Sequence, residues 1–172
     1  MLVTVVEYNP LWGELFNEEA EQLKFILGDI ANHIYHIGST AVPGLMAKPI
    51  IDIMLDVISL KHLDVKNEAF EKLGYEVKGE FGIPGRRYFR KGGDHRTHQI
   101  HAFKSGDSNL IRHLVFRDYL IAHKKTANEY GKLKFDIAKK CNNDIEKYCD
   151  EKDSFVKHHE AKALEWYKGL KL

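Results

Sequence analysis

The sequence predicts an α+β fold, a mixed β-sheet with helices packed on it and a C-terminal helical segment. Up to residue 104, stretches with a two-residue apolar period alternate with stretches of helical period. From Ser108 onward the pattern is helical only. One strand-like run, 49–58, is apolar on one face and carries carboxylates on the other. With 172 residues and no repeat, low-complexity tract or linker, the chain reads as one domain over 1–172: an αβ sheet core over 1–104 and a helical tail over 105–172 packed on it.

The elements follow in order. Residues 2–7 alternate in a β-rich opening that forms a strand or an extended arm. Asn9 can cap a helix whose first position is Pro10, with an apolar stripe at Leu11, Leu15, Leu23, Ile26 and Leu27, stopped by Gly28. Residues 33–37 are β-like, and Gly38-Ser39-Thr40 breaks them. The run 49–58 is a second strand with Ile51, Ile53, Leu55 and Val57 buried and Asp52, Met54 and Asp56 opposite. Ser59 starts a helix to Leu73, closed by Gly74, and 75–78 is a strand. Residues 86–91 and 96–103 form a hairpin through Gly92-Gly93-Asp94. Helices are expected over 108–124, from 126 to about 149, and over 153–167. Phe155, Trp166 and Tyr167 in the tail are an alternative surface for another chain.

Composition excludes several classes. Lys and Arg total 26 against 25 for Asp and Glu, so no basic field supports non-specific nucleic-acid binding. Cys141 and Cys149 lack paired ligand spacing and read as reduced thiols. No apolar run approaches the ~20 residues of a membrane span, and the first residues do not read as a signal peptide. A cytoplasmic protein that does not enter a membrane is expected.

The chemistry concentrates between His36 and Asp56. A Gly-Ser turn exposes backbone N–H groups and a hydroxyl with little bulk, which suits a phosphate oxygen. A carboxylate on the adjacent strand, Asp52, can hold a divalent ion bridging to the same phosphates. His95, His98 and His101 have a spacing that alternates faces on a strand, so they do not converge on a zinc ion. Arg86, Arg87, Arg90, Lys91 and Arg96 cluster along the hairpin. Arg87 and Arg90, with Lys48, are taken as phosphate contacts, although those two arginines point to opposite faces of a regular strand.

The segment from His36 to Leu45, with Lys48-Pro49-Ile50-Ile51-Asp52-Ile53, closely resembles the signature of the GrpB family, a branch of the DNA polymerase beta-like nucleotidyltransferase superfamily. Tyr8-Asn9-Pro10 with Trp12 and Phe16, Gly82 to Arg87, Arg96-Thr97-His98 with His101, and Phe116 to Leu120 resemble further blocks of that family in the same order. Related domains occur fused to dephospho-coenzyme A kinases.

The resemblance implies a Gly-Ser turn gripping a triphosphate and two carboxylates, two residues apart on the next strand, binding two divalent metals. Met54 stands at the second carboxylate position. Asp56 lies about 13 Å along the strand from Asp52, too far to share ions that sit ~3.5–4 Å apart. His101 on the later strand offers imidazole where such enzymes carry their third acid.

The site expected from these readings has Asp52 and His101 as catalytic and metal-holding groups, and Asp56 as a weaker metal candidate. Gly38, Ser39, Thr40, Lys48, Arg87 and Arg90 form its phosphate-binding set. The implied cofactor is Mg²⁺ or Mn²⁺, and the implied activity is nucleotidyl transfer from a nucleoside triphosphate to an unknown acceptor. The alternative is an inactive nucleotide- or coenzyme-binding module of the same fold.

Overall fold

The computed structural model describes residues 1–170; Lys171 and Leu172, the end of the expected tail, lie outside the described residues. The elements are α1 (Trp12–Leu27), β1 (Ala31–Ile37), β2 (Ile51–Val57), α2 (Leu60–Asp64), α3 (Asn67–Lys72), β3 (Tyr75–Val77), β4 (Arg86–Lys91), β5 (His98–Lys104), α4 (Ser108–Ala122), α5 (Lys124–Lys140) and α6 (Ile145–Leu170). The strands form one mixed sheet in the order β1-β2-β5-β4-β3. Its central pair, β2 and β5, is parallel, and the other neighbours are antiparallel. The α+β class read from the sequence is the one observed.

Strand alternation gives the sheet two different faces. Ile51, Ile53, Leu55 and Val57 of β2 join Phe89, Ile100 and Ala102 of the neighbouring strands in a core closed by Trp12, Leu23 and Leu27 of α1, Leu63 of α2 and Phe70 of α3. On the opposite face Met54 packs with Ile37, Phe103 and Leu110 beneath α4. The tail helices assemble with Val42 and Leu45 around Tyr119, Tyr130 and Ala163. The N-terminal arm lays Val3 and Val5 against Ile137, Cys141 and Tyr148. Phe155 stacks on Tyr130 at 5.0 Å and Trp166 meets Tyr119 edge-on at 5.8 Å, so these tail aromatics serve internal packing. Among the described residues no helix is long and apolar enough to cross a membrane.

Several boundaries differ from the sequence reading, each for a local reason. Residues 2–7 form an extended arm whose one ladder contact among the described residues is the bridge between Val6 and Ala47. Asn9 accepts from the Leu11 N–H at 2.9 Å within a turn, and α1 starts two residues later than expected, at Trp12, with Leu11 at its N-cap and no side-chain cap; its buried stripe is Trp12, Ala20, Leu23 and Leu27 with Phe16 beside it, while Leu11 and Leu15 face solvent. Residues 59–73 divide into α2 and α3, and β5 begins at His98 because 93–95 form a 3-10 turn. The last two helices break at 141–144, not near 150, because Asn142 and Asn143 adopt left-handed backbone with φ of 52° and 62°. Asparagine tolerates that conformation, and Asp144 accepts from the Lys147 N–H to start α6.

Candidate functional site

The site forms where β1 ends and β2 and β5 begin, beneath α5 and α6. Asp52 pairs in register with Ile37 of β1 and Gln99 of β5, which sets its side chain on the face away from α1. Gly38 follows β1 immediately with φ of 73°, and a Cβ there would lie 2.7 Å from Asp52 Oδ2. Glycine is therefore required twice over, for its backbone conformation and for the approach of the carboxylate. The Gly-Ser turn opens a single 3-10 turn, Ser39–Ala41. Thr40 is buried with its hydroxyl 2.9 Å from His36 Nε2, and that imidazole stacks on Phe16 on the α1 side. Burial and the Arg117 charge, outweighing Asp52, pull the His36 pKa down to about 4, so it holds Thr40 as a neutral ring.

Two chambers open beside Asp52. The first, about 440 Å³, is lined by Ser39, Thr40, Lys48, Asp52, Arg90, Arg96, Lys134 and Lys152, with Phe81, Tyr88, Gln99, Glu146 and Tyr148 among its walls. Five cationic side chains meet two carboxylates there. Six buried side-chain polar atoms among the described residues lack a hydrogen-bond partner, and four of them belong to this lining: Asp52 Oδ1, Arg90 Nε, Arg96 Nε and Lys134 Nζ. Glu76 approaches Arg90 Nε only to 3.5 Å.

Lys134 is 2% exposed, with its ammonium 4.5 Å from the Tyr130 ring centroid. Burial and the nearby Lys152 and Lys48 charges set its pKa well below the ordinary amine range. Lys48, held over the Tyr148 ring, is lowered in the same way by burial and by Lys152. Buried polar groups left without partners are costly. Three donors and one acceptor oxygen in a single chamber can meet the oxygens of an anionic ligand and, at Asp52, a cation.

The expected residues are sorted by the geometry. Gly38, Ser39, Thr40, Lys48, Asp52 and Arg90 come together. Arg87 does not: it lies on the α1 face, where its guanidinium binds both carboxylate oxygens of Asp64 at 2.8 and 3.2 Å. Period-two alternation separates it from Arg90, and the neighbour on the site face is Arg86. Asp56 also lies apart, bonded to Ser105 and lining neither chamber.

His101 is in place, with Nε2 3.5 Å from Asp52 Oδ1, but Arg86 Nη1 lies 3.4 Å from its Nδ1. A guanidinium only donates, so this assigns the proton to Nε2, facing Asp52, and leaves no ring lone pair for an ion. At 3.5 Å its Nε2 makes no hydrogen bond to Asp52 Oδ1, which stays unpartnered. Arg96, Lys134 and Lys152 were not selected from the sequence. A usable signal was the lysine inside the stripe Ala127, Tyr130, Gly131, Lys134, Ile137, all buried on α5.

The donor set suits only one of the two ions implied for such a site. Asp52 Oδ1, buried and unpartnered, would hold one hard cation. A second ion does not fit. Met54 is fully buried among Ile37, Phe103 and Leu110, so the second carboxylate position is part of an apolar core.

Comparison with known proteins gives a consistent result. The family model described as "GrpB protein" matches residues 2–162. The chain is 46% identical to the crystal structure of conserved protein GrpB from Enterococcus faecalis, with a TM-score of 0.91 over 95% of this chain and 98% of that one. It is 44% identical over 97% of its length to UPF0157 protein YqkA of Bacillus subtilis, spanning about half of that protein. It is 36% identical over 90% of its length to the glutamate-rich protein GrpB of Alkalihalophilus pseudofirmus, spanning 91% of it.

Proposed function

The chain belongs to the GrpB family, and from that premise we propose that the basic chamber binds a nucleoside triphosphate together with one divalent cation, Mg²⁺ or Mn²⁺, and that the protein transfers the nucleotidyl group to an acceptor. The observation that carries this reading is the convergence of the unpartnered Asp52 Oδ1, Arg90 Nε, Arg96 Nε and Lys134 Nζ on one chamber beside the Gly38-Ser39 turn. Lys48, Lys134, Lys152, Arg90 and Arg96 neutralise the phosphate chain, and Ser39 offers a hydroxyl at its edge. Asp52 holds the cation, which when bound supplies charge neutralisation at the phosphates. His101 stands beside Asp52, its Nε2 3.5 Å from Oδ1.

Met54 favours a second reading, a module that binds a nucleotide or a phosphate-bearing coenzyme and transfers nothing, because catalysis by an ion pair has no second carboxylate. Calorimetric titration with ATP, GTP, CTP and UTP, with and without Mg²⁺, on the wild type and Asp52→Ala, separates the outcomes when combined with a pyrophosphate-release assay. Binding that needs Mg²⁺ and Asp52, with Asp52-dependent release, is expected. Binding indifferent to Mg²⁺ without release establishes the second reading, and absence of binding by all four nucleotides removes both nucleotide readings.

A further inference from the structure

A second chamber of about 350 Å³ adjoins the first. The two share Ser39, Asp52, Gln99, Cys149 and Lys152, so the Asp52 carboxylate stands in their common wall. They differ in how their charged groups are partnered. The unpartnered buried donors Arg90 Nε, Arg96 Nε and Lys134 Nζ all belong to the first chamber. Asp52 and Lys152 stand in the shared wall, and the charged residues that line the second chamber alone are paired within the protein: Glu160 by Arg112 at 3.2 Å, Asp153 by Lys157 at 2.9 Å, and Arg117 by Asp118 and the His36 carbonyl. Two histidines, His101 and His113, also line it, and His113 is held neutral with a pKa pushed down to about 3 by burial and by the facing His101 and Arg112. Phe116, Leu120, Tyr130 and Val156 supply apolar surface. Such a volume, with an apolar wall beside internally paired polar groups, suits a small-molecule site.

We propose that this second chamber is the acceptor site, and that the acceptor is a small, uncharged organic molecule with an apolar or aromatic body and a hydroxyl group. The inference rests on the nucleotidyl-transfer reading above. In phosphoryl transfer the attacking and leaving oxygens lie roughly in line across the phosphorus. With the polyphosphate in the basic chamber and the α-phosphate at Asp52, the leaving side is the first chamber and the open side is the second. The acceptor oxygen forms a bond to the α-phosphorus as the bond to the bridging oxygen of the β-phosphate breaks. The hydroxyl proton ends on the released pyrophosphate, so a nucleotidylated acceptor and hydrogen pyrophosphate account for every atom and charge. Phe116 on α4 and Val156 on α6 line the space the acceptor body fills.

The test uses nucleoside triphosphates labelled at the α-phosphate, Mg²⁺, and either the low-molecular-weight or the macromolecular fraction of a bacterial extract. Label is expected in a small product from the first fraction only. Val156→Trp, which fills the chamber, is expected to reduce that transfer at least tenfold while nucleotide affinity by calorimetry stays within twofold. Should Val156→Trp fail to fold, Phe116→Ala serves, with an expected rise in the amount of the low-molecular-weight fraction needed for half-maximal transfer. Label on a macromolecule, transfer unaffected by the variants, or nucleotide binding without any transfer each overturn the proposal. Failure of the wild type to bind any nucleotide instead overturns the reading on which it rests, and the proposal with it.

Discussion

The two faces of the sheet treat buried charge in opposite ways. On the α1 face, Glu19 is 5% exposed yet saturated: Tyr75 Oη donates to it at 2.7 Å, Lys91 Nζ at 2.6 Å, and His98 Nε2 lies 3.6 Å away. Although burial opposes it, these partners hold the Glu19 carboxyl below the usual range. Arg87 is likewise matched by Asp64. On the other face, Asp52, Arg90, Arg96 and Lys134 keep polar atoms without hydrogen-bond partners. The first face uses charge to fix a structure. The second holds charge back from pairing, which costs stability and leaves interactions for a ligand to complete.

The comparison can be broken most forcefully at Met54. Met54→Asp restores the missing carboxylate in name but places it in an apolar pocket, and a loss of about 3–5 kcal/mol in urea unfolding is expected. A stable variant that gained metal binding would show that the pocket can open. Glu19→Ala strips one acceptor from three donors and is expected to cost about 2–3 kcal/mol while leaving nucleotide titrations unchanged. Loss of binding without loss of stability would reverse the assignment of the two faces.

Lys134→Met should do the opposite of Glu19→Ala. It removes an unpartnered buried amine, so thermal stability rises by about 1 kcal/mol, while nucleotide affinity falls about tenfold, the equivalent of about 1.4 kcal/mol. A variant destabilised by the change would make Lys134 structural.

The smallest effect is the pH dependence. The folded pKa values of Lys134 and Lys48 lie below the ordinary 10.5, so between those lowered values and 10.5 the unfolded chain binds more protons. Their contribution to stability therefore rises with pH across that window. A polyphosphate favours the charged amines, so binding takes up protons and affinity weakens as pH rises through the lowered values, by at most tenfold per pH unit for each amine. Titrations in buffers of different ionisation enthalpy measure the uptake, and binding without it would show that both amines are already charged in the free protein.

Much of the site was legible because it is contiguous. Gly38, Ser39, Lys48 and Asp52 fall within fifteen residues, joined by one turn and one strand, and local geometry is enough to bring them together. Strand period also showed that Arg87 and Arg90 diverge, but which of them faces Asp52 depends on the pairing of β4 with β5, where Arg90 lies opposite Gln99. Lys134 and Lys152 lie more than eighty residues beyond Asp52, on helices whose break at Asn142-Asn143 was misplaced, and no local pattern connects them to a strand near the beginning of the chain.

The sequence by itself determined the α+β class, the Gly-Ser turn and the single carboxylate, because backbone period and turn chemistry are local properties. Only the tertiary structure decided which charges are paired. Close packing of α5 at Gly131, where a Cβ would lie 3.2 Å from Leu45 Cδ1, seats that helix on the segment before β2 and buries Lys134 in the chamber beside Asp52. Burial and partnership are properties of what surrounds a side chain, and for this site those surroundings come from the other end of the chain.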